Sequence, residues 1–257
     1  MAAGDCNVVG QFAITAGIDY GLADFLGAML GLESRGATLL LCALLLVSHA
    51  ALNHLGVRLV SRLNDLSAWV HILGVAAIVA ALAFLAPHQP AAFLWERTSA
   101  HPEHAYGYLF AISLLLAGWT FTGYDASAHV TEETHDPTRN APWGIFLSVV
   151  VSGVVGYALL LAVRLSIGDL RLATSAPNPF IHMLRTALGG RLGNALVLMA
   201  MAAMGFAGLS SVTSNSRMLF AFARDRTGCR SRSSWGASRR SIERRSSPSG
   251  SRWSARS

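Results

Sequence analysis

Along its first 225 residues the chain alternates between long hydrophobic stretches and short polar breaks. Six stretches stand out, at about 7–30, 37–55, 66–86, 106–127, 143–163 and 194–219. A helix needs roughly 20 mostly apolar residues to cross a hydrocarbon core about 30 Å thick, and each of these is close to that length. Backbone amides in lipid must pair within their own segment, so runs of this kind predict helices and not strands. The second stretch, with LLLCALLLV, is almost unbroken, whereas the first carries Asp19 and Asp24 inside it. Between the third and fourth lies PHQPAAFLWERTSAHPEHA, which is too polar to span. The short amphipathic PFIHMLRTALGG precedes the sixth. Trp69, Trp95 and Trp143 fall near segment ends, where aromatic side chains favour the membrane interface. The pattern predicts an all-α integral membrane protein of about six transmembrane helices.

Composition agrees, with 53% apolar and 13% charged residues. The formal net charge of +6 is not spread evenly. Met1 to Asp225 holds 11 Arg against 13 acids, while residues 226–257 hold 9 Arg and one acid, Glu243. All 20 basic residues are Arg, as codon bias in a GC-rich genome would produce. With both ends cytoplasmic, five Arg fall inside and six outside up to Asp225, so positive-inside counting does not orient the chain. Cys6, Cys42 and Cys229 are scattered and odd in number, which suggests neither a disulfide framework nor a zinc site. The N-terminus lacks the basic region of a cleaved signal peptide, so the first helix is expected to act as its own insertion signal.

Residues 226–257 are rich in Ser and Arg without hydrophobic periodicity and are expected to be disordered. A polybasic segment beside a membrane helix can bind anionic lipid, and a frameshifted reading of a GC-rich gene is the stronger explanation here.

The most informative stretch is LLLAGWTFTGYDASAHVTEETHDPTRNAPW, Leu114 to Trp143. A helix meant only as an anchor would not carry Gly118, Thr120, Thr122, Gly123 and Asp125 near mid-membrane. Ionisable residues there are costly, and broken helices are how many carriers build binding sites. TGYDASAHVTEET with the trailing DPTRNAPWGI resembles the sixth transmembrane helix and following loop of the amino acid–polyamine–organocation (APC) superfamily, in its amino acid, GABA and choline permease branch. NHLGVRLVSRLNDLSAWVHILG resembles that family's connection from helix four to five, and GLSSVTSNSRMLFAFARD the end of its helix eight. The three motifs occur in family order and extend the resemblance from about Gly10 to Asp225.

The resemblance implies part of a five-plus-five inverted-repeat fold, corresponding to family helices three to eight and incomplete at both ends. It implies a plasma-membrane, multi-pass carrier of amino acids or related amines such as GABA or choline, working by alternating access without enzyme chemistry or cofactor. The coupling ion, proton or sodium, stays open. A membrane remnant that does not transport, or a partner-dependent subunit, is the alternative. In the family, Ala-Arg-Asp is followed by Gly, small residues and Pro. GC-rich codons for RTGCRS read one frame over can give DGLPVS, which accounts for the basic tail as a frameshift.

By resemblance, Trp119, Thr120, Phe121, Thr122 and Gly123 form the unwound stretch that meets substrate; a glycine-kinked packing helix is the competing reading. Asp125 either pairs with a cationic substrate or caps the half-helix that follows. Glu132 and Glu133 read as ion-pair partners at a cytoplasmic gate, Asp19 as a lining of the aqueous path, and Asp24 as an interfacial residue. Ser210 and Ser211 resemble positions of a sodium site in related folds. His129, Glu132 and His135 carry one E-x-x-H spacing in a polar connector, where a di-iron bundle needs two such motifs and two further glutamates, so no metal is expected. Gly27 and Gly31 have a GxxxG spacing that arises readily by chance in a glycine-rich chain. No P-loop, GxGxxG or nucleophile motif occurs, and the basic tail is no folded patch for nucleic acid.

Overall fold

The structure, a computed structural model, describes residues 2–32, 34–96, 103–129, 131 and 134–245. The described residues are helical with short connections: α1 (Ala2–Leu30), α2 (Arg35–Leu55), α3 (Val57–Leu85), α4 (Tyr106–Thr120), α5 (Ala126–His129), α6 (Pro137–Leu165), α7 (Leu170–Ser175) and α8 (Pro179–Arg245). Among them, five stretches are long and apolar enough to cross a membrane: Cys6–Leu30, Arg35–Leu55, Arg58–Leu85, Pro137–Leu165 and Pro179–Phe220. The fourth hydrophobic segment is different. Its helix is the shorter Tyr106–Thr120, which stops inside the stretch the sequence pattern treats as one span.

Local chemistry sets the boundaries. At the end of α1, Gly31 takes φ 69° and the Leu32 N–H donates to the Gly27 carbonyl at 2.8 Å, a glycine-terminated cap of the Schellman type. The Gly27–Gly31 spacing therefore serves a helix end. A side chain at Gly27 would press on the Leu32 carbonyl oxygen at 2.8 Å. Ser34 then opens α2, its hydroxyl accepting from the Ala37 N–H. Between α2 and α3 stands a one-residue elbow, Gly56 at φ 142°. Helix α3 thus begins at Val57 and takes in the polar turn RLVSRLND ahead of its apolar span. Likewise Asp136 and Pro137 start α6 well before Trp143, since Pro suits the first helical turn. Gly189, at φ 79°, divides the amphipathic start of α8 from its long span.

Two compact units are distinguished, Met1–Asn215 and Ser216–Ser257. In the second, the backbone is helical to Arg245, where the composition suggested disorder from residue 226. Arg is a good helix former and no proline occurs between Pro179 and Pro248, which helps the helix continue through Gly228, Gly236 and the serines.

Within the first unit the apolar core joins α1, α3 and α8 through Leu22, Ile78, Leu82, Leu184, Val197 and Met201. Beside it runs a polar seam along α8. The Thr15 and Ser211 hydroxyls lie 2.6 Å apart, and the Asn215 amide donates to Thr15 Oγ1 at 2.6 Å and to the Gln11 carbonyl at 3.1 Å. Ser210 donates to Asn64 of α3, and Thr213 to Asn53 of α2. Asp19, expected on the aqueous path, is 0% exposed. His49 Nδ1 of α2 stands 3.2 Å from both carboxylate oxygens and bonds Oδ2, leaving Oδ1 without a hydrogen bond. A carboxylate at this depth needs a donor, and α2 supplies it. Gly208 of α8 packs directly on the pair, where a β-carbon would collide with both side chains.

His49→Ala strands the Asp19 carboxyl without its donor. It is expected to cost about 3–5 kcal/mol, read as a lowered melting midpoint by circular dichroism in detergent. The double variant Asp19→Asn/His49→Ala, with no carboxyl to bury, should regain a substantial part of that loss.

Candidate functional site

The segment from Leu114 to His129 holds the least regular backbone within the expected spans. Helix α4 ends at Thr120, Phe121 takes φ −95° and ψ 0°, and helical geometry returns only at Ala126. Three-residue turns carry the chain across. Phe121 N–H donates to Gly118, Thr122 to Trp119, Tyr124 to Phe121 and Ala126 to Gly123, at 3.0–3.3 Å. Among the described residues, no backbone N–H in this loop reaches the carbonyl of Thr120 or Thr122. Gly123 turns the chain at φ 87°, a conformation that strains any residue with a β-carbon.

Helix α6 backs the break. Ser148 donates to the Tyr124 carbonyl at 3.2 Å. Glycines on α6 leave room for the rest: a β-carbon at Gly156 would meet Thr120 at 2.9 Å, and one at Gly153 would touch the Phe121 ring at 3.5 Å. At Gly144 a β-carbon would stand 3.0 Å from Ser127. Thr120 and Phe121 therefore face α6. Trp119 and Thr122 face the other way, into a cleft of about 480 Å³.

The cleft lies between α1, α3, the break, α6 and α8. Ile18 and Gly21 of α1, Val70 and Gly74 of α3, and Met199 and Ala203 of α8 are among its walls. Among the described residues, no Asp, Glu, Lys or Arg lines it. Hydrogen-bonding side chains are few: Trp119, Thr122 and His71 of α3. Trp119 lies so close to α1 that a β-carbon at Gly17 would come within 2.6 Å of its ring.

Of the residues singled out from sequence, Trp119 and Thr122 reach the cleft wall, and Gly123 makes the turn. Asp125 directly precedes α5, with its carbonyl accepting from the Ala128 N–H. Asp19 belongs to the buried pair with His49 and is absent from the cleft wall. Exposed Asp24 accepts from Asn178 at 3.1 Å. Glu132 and Glu133 lie outside the described residues. Ser210 and Ser211 are bonded to Asn64 and Thr15 in the seam. No group of three metal-ligating side chains occurs among the described residues. Sequence reasoning missed His71 and His49. Each is a lone histidine on a helix face, and their significance lies in partners on other helices or in the cavity they border.

Comparison with known proteins places the chain among permeases. The family model described as Amino acid permease matches residues 1–243. The chain is 32% identical over 244 residues to "Amino-acid permease BAT1 homolog" of Oryza sativa subsp. japonica, and 31% identical over 245 residues to "Amino-acid permease BAT1" of Arabidopsis thaliana. Each match covers 85% of this chain and 47% of the relative. The chain thus spans about half the length of these curated relatives. "Thiamine transporter thi9" of Schizosaccharomyces pombe is 32% identical over 126 residues, 46% of this chain and 21% of that protein. No solved structure matches.

Two glycine substitutions test the geometry. Gly123→Ala forces a β-carbon into a left-handed backbone and is expected to cost about 1–2 kcal/mol, checked by thermal melting. Gly17→Ala should displace the Trp119 ring from α1. In a variant retaining Trp119 as its one tryptophan, the fluorescence maximum then moves, while Gly36→Ala, which meets nothing within 4 Å, leaves it in place.

Proposed function

The chain belongs to the amino acid permease family, and from that premise we propose that it carries the substrate-facing break of a plasma-membrane carrier for amino acids or related amines. The observation that supports this reading is the interruption between Thr120 and Ala126, opening on the uncharged cleft. Inside a membrane, irregular backbone is tolerated where it is buried in protein or lines a cavity. Here it leaves two carbonyls, of Thr120 and Thr122, free to accept hydrogen bonds. Carbonyl dipoles favour the ammonium end of a small molecule, and apolar walls receive the rest of it. Trp119 stands at the same wall, where an aromatic ring attracts a cation. Transport then follows by alternating access, in which the two sides of the cleft rock about the bound molecule. GABA and choline-like amines fit within this class, with a proton or sodium as the coupling ion. The region that performs this is residues 1–225; Asp125 orders the start of α5, and Glu132 and Glu133 serve the cytoplasmic gate.

A second reading is a partner-dependent membrane subunit. It draws on the broad apolar faces of α4 and α6: Leu115 and Leu116 are largely exposed, and so are Val151 and Val154. Those surfaces suit either lipid or a protein neighbour.

Proteoliposomes holding the purified chain decide between the two readings. Uptake of radiolabelled amino acids or amines above empty vesicles is the expected result, with Trp119→Leu reducing it about tenfold, the equivalent of about 1.4 kcal/mol. Flux equal to the empty-vesicle control removes the carrier reading for this chain.

A further inference from the structure

Asp19 is a fully buried acid that the cleft does not use. It meets one donor, His49 Nδ1, which stands 3.2 Å from each carboxyl oxygen. The hydrogen bond goes to Oδ2, and Oδ1 is buried without a partner. A buried ion pair kept for structure alone needs its remaining lone pairs satisfied, because Coulomb attraction by itself does not repay the lost water. This pair leaves one acceptor unmet, which weakens the hold on an ionised carboxylate. Among the described residues, no Arg or Lys fixes the charge instead. The partner is a histidine, a side chain whose own charge changes near neutral pH.

The groups around the pair are otherwise uncharged. On α1, Thr15 and Ala23 stand one turn to either side of Asp19, and Thr15 is engaged with Ser211 and Asn215. On α2, the Cys42 thiol lies two turns before His49 on the same face, and Asn53, one turn after it, donates to the His49 carbonyl. Gly208 of α8 lies against both members and brings no side chain. Asp24 and Asp65 are exposed, and His71 of α3 borders the cleft.

Charge counting then sets the proton inventory. An ionised carboxylate beside a neutral imidazole buries one negative charge, and one added proton brings the pair to zero. The His49 side chain is 7% exposed and Asp19 is not exposed, so the ring is the accessible member. A proton from water adds at Nε2 while the Nδ1–H points at Oδ2. Passing the Nδ1 proton to Oδ2 leaves both groups neutral, and release reverses the two transfers. Only a proton moves, and water is its source and its sink.

We propose that Asp19 and His49 form a proton-binding site, and that the proton exchanged there near neutral pH is the carrier's coupling ion. This rests on the carrier reading and narrows its coupling ion to the proton. The site is linked to the cleft through the two helices they share. Ile18 and Gly21 of α1 line the cleft on either side of Asp19, and Ala207 of α8 lines it next to Gly208. Proton loss leaves an uncompensated charge between α1, α2 and α8, so the closed seam and the cleft walls respond to proton occupancy.

The test titrates the full 257-residue chain in nanodiscs between about pH 5 and 8. Infrared difference spectra follow the Asp19 carboxyl, assigned with Asp19→Asn, and ¹⁵N resonances follow the His49 ring, assigned with His49→Gln. Both groups are expected to change at one common midpoint, and either variant suffices if the other does not fold. Equilibrium dialysis of radiolabelled GABA and choline is run at the same pH values. Choline has a fixed charge, and the carboxyl and amine of GABA titrate outside this range. Affinity is expected to change at least about fivefold across the midpoint. That dependence disappears in Asp19→Asn and His49→Gln, and added sodium at fixed pH does not reproduce it. A pair that keeps one state throughout the range overturns the proton site. Titration of the pair with unchanged affinity overturns the coupling role, and affinity that follows sodium instead of pH overturns the choice of ion. Binding of neither probe overturns the carrier reading and the coupling role together, while the spectroscopic titration still decides the proton site by itself.

Discussion

A backbone amide or polar side chain facing hydrocarbon has no water to bond, so it must find its partner inside the protein. Most of this molecule answers that demand with uninterrupted helices. Where polar side chains enter the spans, they answer it with one another. The densest set follows α8, from Gly208 against the Asp19–His49 pair, through Ser211 with Thr15, to Asn215 with Thr15 and Gln11. Two further bonds, Ser210 to Asn64 and Thr213 to Asn53, tie the same stretch to α3 and α2. Lipid tails are as apolar as leucine and give helices little reason to associate, so close approach at small residues and shared polar bonds carry much of the specificity. Gly208 supplies the first and its polar neighbours the second.

The same demand gives the break between α4 and α5 its meaning. Leaving the helix at Thr120 forfeits regular i to i−4 bonds inside an apolar stretch, a loss that chain geometry alone does not require. Three-residue turns recover part of it, and Ser148 of α6 satisfies the Tyr124 carbonyl. Of the residues at the break, Trp119 and Thr122 border the cleft. Glycines on α6 make this arrangement sterically possible by receiving Thr120 and Phe121. The break is thus held from behind by α6 and left open in front.

Much of the helical architecture was legible in sequence because length and hydrophobicity are local properties. The break was legible for the same reason, since Gly118, Thr120, Thr122, Gly123 and Asp125 crowd one short stretch. Boundaries were harder where polar residues continue a helix beyond its apolar part, as at Val57–Asp65 and Pro137–Pro142. The Asp19–His49 pair was out of reach, since its members are 30 positions apart on separate helices and no periodicity connects them. His71 was missed for a related reason. Its i−4 bond to Ser67 is local, but the cleft it borders is built from five parts of the chain.

Helix α1 shows how cleft and seam are reconciled. Ile14, Gly17, Ile18 and Gly21 repeat at i, i+3, i+4 and i+7 and face the cleft. Gln11, Thr15 and Asp19 repeat at i, i+4 and i+8 and are buried on the polar side. Helix α8 divides in the same way, with Met199, Ala203 and Ala207 on the cleft and Gly208, Ser211 and Asn215 in the seam. Rotating either helix to change the cleft would pull its other face from partners that lipid cannot replace. The seam therefore binds α1 and α8 into one wall, whereas the opposite wall, Trp119 and Thr122 at the end of a short helix, has few such bonds to lose. That asymmetry leaves the break side of the cleft with fewer side-chain bonds to neighbouring helices than the side built by α1 and α8.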